Sequence, residues 1–433
     1  MDNLFVIEND TLMQAAPESG AALSTWLEFL LAIHPTEIDM GLGRVSQVAT
    51  RMGLNHLDAT KIVTVAGTNG KGTTCAMLEA ALQLSGKTVG VYSSPHLLNY
   101  NERVRINGND ATDAALVAAF EAIEAARAEI SLTFFEYATL AGLYLFKAAK
   151  LDVVLLEVGL GGRLDATNLI DADIAVVTSI DLDHQEYLGD TRELVGAEKA
   201  GIFRQGRPAI VGEPDCPSSL IDLANDIGAS LYRVNSEFSY QCNDKDWHYK
   251  GHHFDLSHLP LPYLPQPNAA TVIAVLEHLC PTISTEIIAK AVGNTQLAGR
   301  LETLNQSPRV IVDVAHNPHA ARYLKTRLAA MTKGRLFALC GMLKDKDARS
   351  VLLELSSDVD KWFLCDLSVP RGASAAELNL LMPQGVAAAS YQQMSDAWQA
   401  VKAQLHSDDI VIVFGSFYTV AGFKELFKGE KLV

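Results

Sequence analysis

Lys71 stands between two glycines in the run Lys61-Ile-Val-Thr-Val-Ala-Gly-Thr-Asn-Gly-Lys-Gly-Thr-Thr74, where a β-branched apolar segment breaks into a loop with several hydroxyls. Gly67, Gly70 and Gly72 let backbone N–H groups turn toward an anion. Lys71 adds a point charge, and the start of the following helix adds the positive end of its dipole. The chemistry this predicts is nucleotide phosphate binding. The spacing departs from a Walker A loop, which needs four residues between its first glycine and the Gly-Lys pair, with Ser or Thr directly after the lysine. Here Gly67 and Gly70 are close, and Gly72 intervenes before Thr73. A plain glycine-rich strand-to-helix turn is the alternative.

In open parallel sheets ligands sit beyond the carboxyl ends of the strands, and polar residues of this chain gather at such ends. An expected strand over 88–92 runs into Ser93-Ser94-Pro95-His96. One over 153–156 ends at Glu157 and enters Val-Gly-Leu-Gly-Gly-Arg-Leu-Asp-Ala-Thr-Asn168, and one over 174–179 ends in Asp181-Leu-Asp183-His184. A hydroxyl, a carboxylate and an imidazole around phosphates suggest Mg²⁺, which takes oxygen ligands and uses one or two carboxylates beside the phosphates. Each residue also has a plainer reading: Glu157 ending a strand against a buried arginine, His184 as a hydrogen-bonded core histidine, Gly159 to Gly162 as a turn. Lys199, in Gly196-Ala-Glu-Lys-Ala-Gly-Ile-Phe203, is either a surface helix residue or a buried amine of lowered pKa, able to take up carbon dioxide as a carbamate. Further along, Asp313-Val-Ala-His316-Asn317-Pro318-His319 puts a carboxylate and an imidazole at another strand end. Gly341-Met-Leu-Lys344-Asp345-Lys346-Asp347 and Gly415-Ser416-Phe417 follow two more. If that face opposes the phosphate loop, the site is a cleft between domains, with Asp313 on a ribose hydroxyl or amino group and Arg300 reaching phosphates from the hinge. Otherwise Asp313 and His316 cap a helix or hold a turn.

The elements that must position these residues read as α/β. Apolar runs at 62–66, 88–92, 153–156, 174–179 and 208–211 alternate with helical stretches at 73–84, 112–129 and 135–149, the pattern of a parallel sheet covered by helices. Residues 1–60 look helical, including 21–33, and 231–265 reads as a small hairpin excursion whose His252 and His253 are solvated loop residues. A second, smaller series has strands at 310–312, 335–339, 362–365 and 410–414, with a boundary at Asn294-Thr-Gln-Leu-Ala-Gly-Arg300. At 433 residues two domains are expected. A net charge of −16 argues against nucleic-acid or basic membrane-surface binding. The six cysteines form no C-x-x-C pair, and the chain opens Met-Asp-Asn without a leader pattern, so a reduced cytoplasmic setting is expected. No apolar stretch approaches the roughly 20 residues that cross a bilayer. No apolar stripe calls for a partner, so a monomer is expected.

Gly67-Thr-Asn-Gly-Lys-Gly-Thr73, Ser93-Ser-Pro-His96, Phe135-Glu136, Glu157 to Asn168, Asp183-His184, Glu198-Lys-Ala-Gly201, Gln266-Pro-Asn268 and Asp313-Val-Ala-His-Asn-Pro318 together resemble the folylpolyglutamate synthase family of the Mur ligase superfamily, nearest its bifunctional bacterial branch. In that family the short loop is itself the signature. The resemblance implies an N-terminal P-loop ATPase domain of Mur ligase type over 1–298, carrying the pterin site, and a smaller C-terminal Rossmann-like α/β domain over 299–433. It implies that Thr68, Asn69, Gly70, Lys71, Gly72 and Thr73 hold ATP phosphates, with Asn268, Arg300 and Asp313 as further ATP contacts. Ser94, Glu157 and His184 would be the Mg²⁺ ligands and Lys199 a carbamylated lysine. Glu37, Ile38, Asp39 and Met40, then Thr133, Phe134, Phe135 and Glu136, then Leu164, Asp165 and Ala166, would form the pterin and folate site, with His316 near the incoming glutamate. One departure is Ala298, where the family often has proline before the glycine.

The implied reaction is an ATP-dependent amide ligation. ATP phosphorylates the carboxylate of dihydropteroate, or of a reduced folate's terminal glutamate, and the amino group of L-glutamate then displaces phosphate from the acyl phosphate. Lys71, Lys199 and His316 are the expected catalytic residues. Alternatives are folylpolyglutamate synthase activity alone, a Mur-type peptide ligase, and a nucleotide switch that hydrolyses ATP without ligating anything.

Overall fold

A computed structural model describes residues 15–34, 36, 38–331 and 334–430. Glu37 therefore lies outside the described residues, as do residues 1–14 of the expected helical start. Eight strands build the larger sheet: β1 (Lys61–Ala66), β2 (Val89–Tyr92), β3 (Val104–Ile106), β4 (Asn109–Asp110), β5 (Val153–Glu157), β6 (Ile174–Val177), β7 (Pro208–Val211) and β8 (Ser230–Arg233), in the spatial order β4-β3-β2-β5-β1-β6-β7-β8. The six from β2 to β8 in that order pair in parallel, while β3 and β4 add an antiparallel edge. Apart from exposed Lys61, the central strands β2, β5, β1 and β6 are buried at every position because helices cover both faces. Val63 and Val65 face the helices Lys71–Leu84 and Gln266–Leu279. Ile62 points the other way, toward Leu23–Ala32, Gly43–Met52 and Phe134–Ala149. Ala66, on that second face, joins a cluster with the helices Arg192–Ala200 and Ser218–Ile227.

The pairing register sets the strand ends level. Val65 lies opposite Glu157, Ala66 opposite Val177, and Tyr92 opposite Leu156. The glycine loop, Ser94, Glu157 and the segment after Val177 therefore emerge along one edge.

The excursion expected as a single hairpin is a three-stranded antiparallel sheet: β9 (Ser239–Cys242), β10 (Asp246–Lys250) and β11 (Asp255–Pro260). Trp247 and Tyr249 of β10 are buried in the main core. Buried Glu277 ties the β10–β11 turn to its helix by accepting the N–H groups of His252, His253 and Phe254 at 3.2, 2.9 and 2.7 Å.

The smaller sheet has β12 (Glu302–Gln306), β13 (Arg309–Asp313), β14 (Leu336–Cys340), β15 (Lys361–Cys365), β16 (Ala388–Tyr391) and β17 (Ile410–Phe414), in the order β12-β13-β17-β14-β15-β16. All pairs are parallel except β12 with β13. Asp313 and Cys340 both pair with Phe414, so the ends of these three strands are level too. The connection between the sheets is held by carboxylates rather than by a proline. Gly299 (φ +71°) donates its N–H to Glu302 Oε2 at 2.7 Å, and Glu302 is paired with Lys424 at 2.7 Å. Leu301, in the left-handed region at φ +46°, donates its N–H to Asp313 Oδ2 at 2.8 Å.

A glutamine at 277 has one acceptor oxygen for three N–H groups. Glu277→Gln is expected to cost about 1–3 kcal/mol, read as a lowered thermal midpoint with faster amide exchange at 252–254; an unchanged midpoint contradicts the anchoring role.

Candidate active site

The glycine loop closes against the segment that follows β6. Thr68 donates its N–H to Ser179 O at 2.9 Å, and its hydroxyl exchanges hydrogen bonds with the Asp181 backbone at 2.9 and 3.0 Å. Asn69 O accepts the hydroxyls of Thr178 and Ser179 at 2.6 and 3.0 Å. Two glycines are dictated by space as well as by torsion. A Cβ on Gly67 would lie 1.9 Å from Thr178 Oγ1, and one on Gly70 (φ +89°) would lie 2.7 Å from the Asn268 amide. Asn268 donates to Thr73 Oγ1 at 2.5 Å, and Thr73 in turn donates to Gly70 O at 2.8 Å. Lys71 Nζ is folded back over its own loop and donates to Gly67 O at 2.8 Å.

Lys71 shares one cavity of about 130 Å³ with Ser94, Glu157, Asp183, His184, Lys199, Arg300, His316 and Phe417. Burial raises the Glu157 carboxyl, with Lys71 and Arg300 opposing the shift. Burial would likewise raise Asp183, but Lys346, 2.8 Å away, and His184 hold it at about 2. His184, at φ +50°, has its pKa lowered by burial and carries Lys346 Nζ 3.5 Å from its Nε2. Lys199 is 3% exposed. Burial, followed by repulsion from Lys71, lowers its ammonium to about 7. Among the described residues its Nζ has no hydrogen-bond or ion-pair partner. His316 places Nδ1 2.8 Å from Val314 O, so that nitrogen carries the proton and Nε2 is left as an acceptor. Burial and then Lys346 lower its pKa to about 4.

Arg300 lies over the Phe417 ring at 5.6 Å and lines two further cavities. One, of about 640 Å³, takes in Asn69, Gly70, Asn268, Asp313 and Tyr323, a volume within the range of small-ligand sites. Asp313 is already engaged there. Its two oxygens accept the N–H groups of Leu301 and Ala315, each at 2.8 Å, and burial raises its pKa against Arg300. The other cavity, of about 600 Å³, adjoins Gly72, Ser94, Glu157 and Phe417. The phosphate-loop cavity thus opens in two directions.

The third group of expected site residues stands beyond the loop that follows Glu157. Gly159 packs on Phe135, where a Cβ would meet the ring at 2.6 Å, and Gly161 faces Met40. Ile38 and Leu164 are half-buried, and Ala166 is buried. Thr133 and Glu136 form a capping box at the start of their helix, with reciprocal bonds of 3.1 and 2.7 Å. Asp165 spends its carboxylate on its own loop, accepting Gly159 and Leu160 N–H at one oxygen and the Thr167 N–H and hydroxyl at the other. Asp39 and Glu136 are joined by Arg44, at 2.7 and 3.3 Å.

Sequence reasoning missed Arg44, Ser179 and the contacts that cross between the two sheets. Asn69 exchanges amide hydrogen bonds with Asn317 at 2.9 and 3.3 Å and lies 3.0 Å from His319 Nδ1; Lys346 reaches Asp183; Arg322 stands 3.5 Å from Asp181. Only the position of Asn317 and Lys346 after strand ends signalled them. Among the described residues no three His, Cys, Asp or Glu side chains gather into a metal site by themselves. The donor set Ser94, Glu157 and His184 still fits a hard cation that shares its coordination with phosphate oxygens, because Glu157 is a buried carboxylate 6% exposed. No described helix is long and apolar enough to cross a membrane.

Residues 65–259 match the Mur ligase middle domain, and residues 299–417 match the Mur ligase, glutamate ligase domain. The chain is 49% identical over 421 residues to the dihydrofolate synthase/folylpolyglutamate synthase of Escherichia coli, covering 97% of this chain and 99% of that one. Its structure is similar to that of E. coli FolC in complex with DHPP and ADP, with a TM-score of 0.92, 50% identity, and 95% and 99% of the two chains covered. It is also similar to a bifunctional folylpolyglutamate synthase/dihydrofolate synthase with Mn, AMPPNP and L-glutamate bound, with a TM-score of 0.90, 48% identity, and 96% and 100% covered.

A lysine whose folded pKa lies near 7 binds fewer protons than its unfolded counterpart between pH 7 and 10.5, so its burial penalty is full below pH 7 and fades as pH rises through that window. In carbon-dioxide-free buffer Lys199→Met is expected to melt above the wild type at pH 6, with the gap closing toward pH 10. A gap that does not change with pH contradicts a buried, unpartnered amine.

Proposed function

The chain belongs to the dihydrofolate synthase/folylpolyglutamate synthase family of Mur ligases, and from that membership we propose that it joins L-glutamate to dihydropteroate, and to the γ-carboxylate of folates, with conversion of ATP to ADP and phosphate. One observation carries this reading. Side chains from several strand ends and both sheets, Lys71, Ser94, Glu157, His184, Lys199 and His316, share a single cavity that opens onto a nucleoside-sized pocket. The domains are proposed as 1–298 and 299–433.

In this reading the nucleoside occupies the pocket of Asn268 and Asp313, and the phosphates lie on the backbone of Thr68 to Thr73 at the helix N-terminus. Lys71 leaves Gly67 O for a phosphate oxygen, and Arg300, which has no carboxylate partner among the described residues, meets the same charge from the connecting segment. Ser94, Glu157 and His184 would hold a divalent cation, which supplies positive charge opposite the transferred phosphoryl group. Lys199 is proposed as the carbamylated residue, since burial favours the neutral amine that adds carbon dioxide.

The acceptor carboxylate, presented from the side of Ile38 to Met40, Thr133 to Glu136 and Leu164 to Ala166, attacks the γ-phosphorus and ADP leaves. The glutamate amine then attacks the acyl carbon and phosphate leaves. His316 Nε2, free to accept, orients the amine. Contacts of Asn69 with Asn317 and of Lys346 with Asp183 close the cleft against water, which would hydrolyse the acyl phosphate. The six free cysteines support a reduced, cytoplasmic setting, with the enzyme acting as a monomer on small-molecule substrates.

Incubation with ATP, dihydropteroate and L-glutamate is expected to release ADP only when both co-substrates are present; uncoupled release indicates a nucleotide switch instead. Tetrahydrofolate in place of dihydropteroate tests the second activity in the same assay. Lys71→Ala and Glu157→Ala are each expected to lower ligation by about a thousandfold with the circular dichroism spectrum retained, and full activity in either contradicts the assignment. With ¹³C-bicarbonate, a carbamate signal is expected in the wild type and absent from Lys199→Met.

A further inference from the structure

Arg103 closes the short 3₁₀ turn Tyr100–Arg103 and is 8% exposed. Among the described residues no carboxylate lies within ion-pair distance of its guanidinium. Its neighbour in sequence, Glu102, is fully used elsewhere, accepting the N–H groups of Leu97, Leu98 and Asn99 at 2.7, 2.9 and 2.7 Å. The Nε–H of Arg103 goes to His96 Nδ1 at 3.0 Å, an acceptor that leaves the positive charge uncompensated. The guanidinium carbon stands 5.5 Å from the Tyr100 ring centroid and 5.4 Å from that of Phe134, and such faces offset only part of the desolvation of a cation.

Its position gives the missing charge a direction. Phe134 opens the helix whose first turn also carries Phe135 and Glu136, and Phe135 packs on Tyr92 at 5.9 Å. His96, which accepts the Arg103 Nε–H, follows directly on Ser94 and Pro95 of the phosphate-cavity wall, and Arg103 also reaches the Tyr92 hydroxyl, so the guanidinium stands between this aromatic group and that wall. An acceptor carboxylate entering there meets Glu157 and Asp183, which repel it. Lys346 is committed to Asp183, and Arg44 is committed to Asp39 and Glu136. Lys71 and Arg300 face the nucleotide phosphates in the reading above. A separate cation is needed to hold an acceptor carboxylate against that field, and Arg103 is buried, unpaired and beside the aromatic rings.

Resting on the reaction proposed above, we propose that Arg103 binds the carboxylate of the aromatic acceptor and presents it to the phosphate cavity, with the arene lying along Phe134, Phe135 and Tyr92. A guanidinium is suited to this role because its planar fork takes a carboxylate through two N–H groups.

The test couples the ligand's carboxylate to the residue. Binding of dihydropteroate, and of the same molecule with its arene carboxylate replaced by hydrogen, is measured by calorimetry on the full chain with ADP present, for the wild type, Arg103→Met and Arg103→Lys. Loss of the ligand carboxylate is expected to weaken binding at least about tenfold in the wild type, less than about twofold in Arg103→Met, and by an intermediate factor in Arg103→Lys. The Michaelis constant for ATP stays unchanged in Arg103→Lys. A purely structural arginine gives the same ratio in every protein and overturns the proposal, as does a wild type indifferent to the carboxylate. If Arg103→Met does not fold, an Arg103→Lys ratio equal to the wild type's overturns it alone. A wild type that forms no amide from dihydropteroate removes the proposed reaction itself; a wild type that ligates with equal ratios removes only the role of Arg103.

Discussion

The hydrogen-bond register of the parallel strands is the constraint on which everything else depends. Parallel pairing fixes which residues stand side by side, and a shift of one residue turns every side chain to the opposite face. With Val65 opposite Glu157, Ala66 opposite Val177 and Tyr92 opposite Leu156, the turns after β1, β2, β5 and β6 leave the sheet at one level. Residues up to about 120 positions apart in sequence are thereby brought around one small cavity. The close fit of Gly67 against Thr178 follows from the same alignment, since each directly follows one member of the pair Ala66 and Val177.

The second sheet repeats this device and faces it toward the first. Asp313, Phe414 and Cys340 end level, so the turns that carry His316, Phe417 and Lys346 emerge together. The connection between the sheets is itself part of the cavity wall, because Arg300 lies between Gly299 and Leu301, and the carboxylate that fixes the left-handed Leu301 is Asp313. Asp313 thus ties the end of β13 to the segment that connects the two sheets. Contacts of Asn69 with Asn317 and of Asp183 with Lys346 then join the phosphate loop and its neighbour directly to the smaller domain.

Burial gives this arrangement its electrostatics. Glu157 and Asp313 are raised by desolvation and opposed by nearby cations, Lys199 and His316 are lowered, and Asp183 is held down by the lysine from the opposite domain. Such a site favours ligands that bring compensating charge, since burial weakens the charged form of each of its carboxylates, amines and imidazoles unless an opposite charge stands close by.

Much of this was legible in the chain itself. The apolar runs of β1, β5, β6, β7 and β17 announced buried parallel strands, because a strand covered on both faces needs no polar alternation. The glycine loop, Ser94, Glu157, His184 and Asp313 were visible as polar residues following such runs, whereas Lys199, on a helix ahead of Gly201-Ile-Phe203, read equally as a surface residue or a buried amine. The edge strands were not. Asn109–Asp110, Ser230–Arg233 and Glu302–Gln306 are short and polar, and their pairing comes from the neighbour they complete rather than from their own pattern. The antiparallel sheet of 239–260 looked like one hairpin because its burial is supplied by distant helices. The sequence by itself determined which residue types stand at strand ends and which backbone positions must be glycine, since both are local properties. Only the tertiary structure decided that Asp165 serves its own loop, that Lys346 faces Asp183, and that Arg103 is buried without a counter-charge, because pairing and desolvation depend on what distant segments bring or withhold.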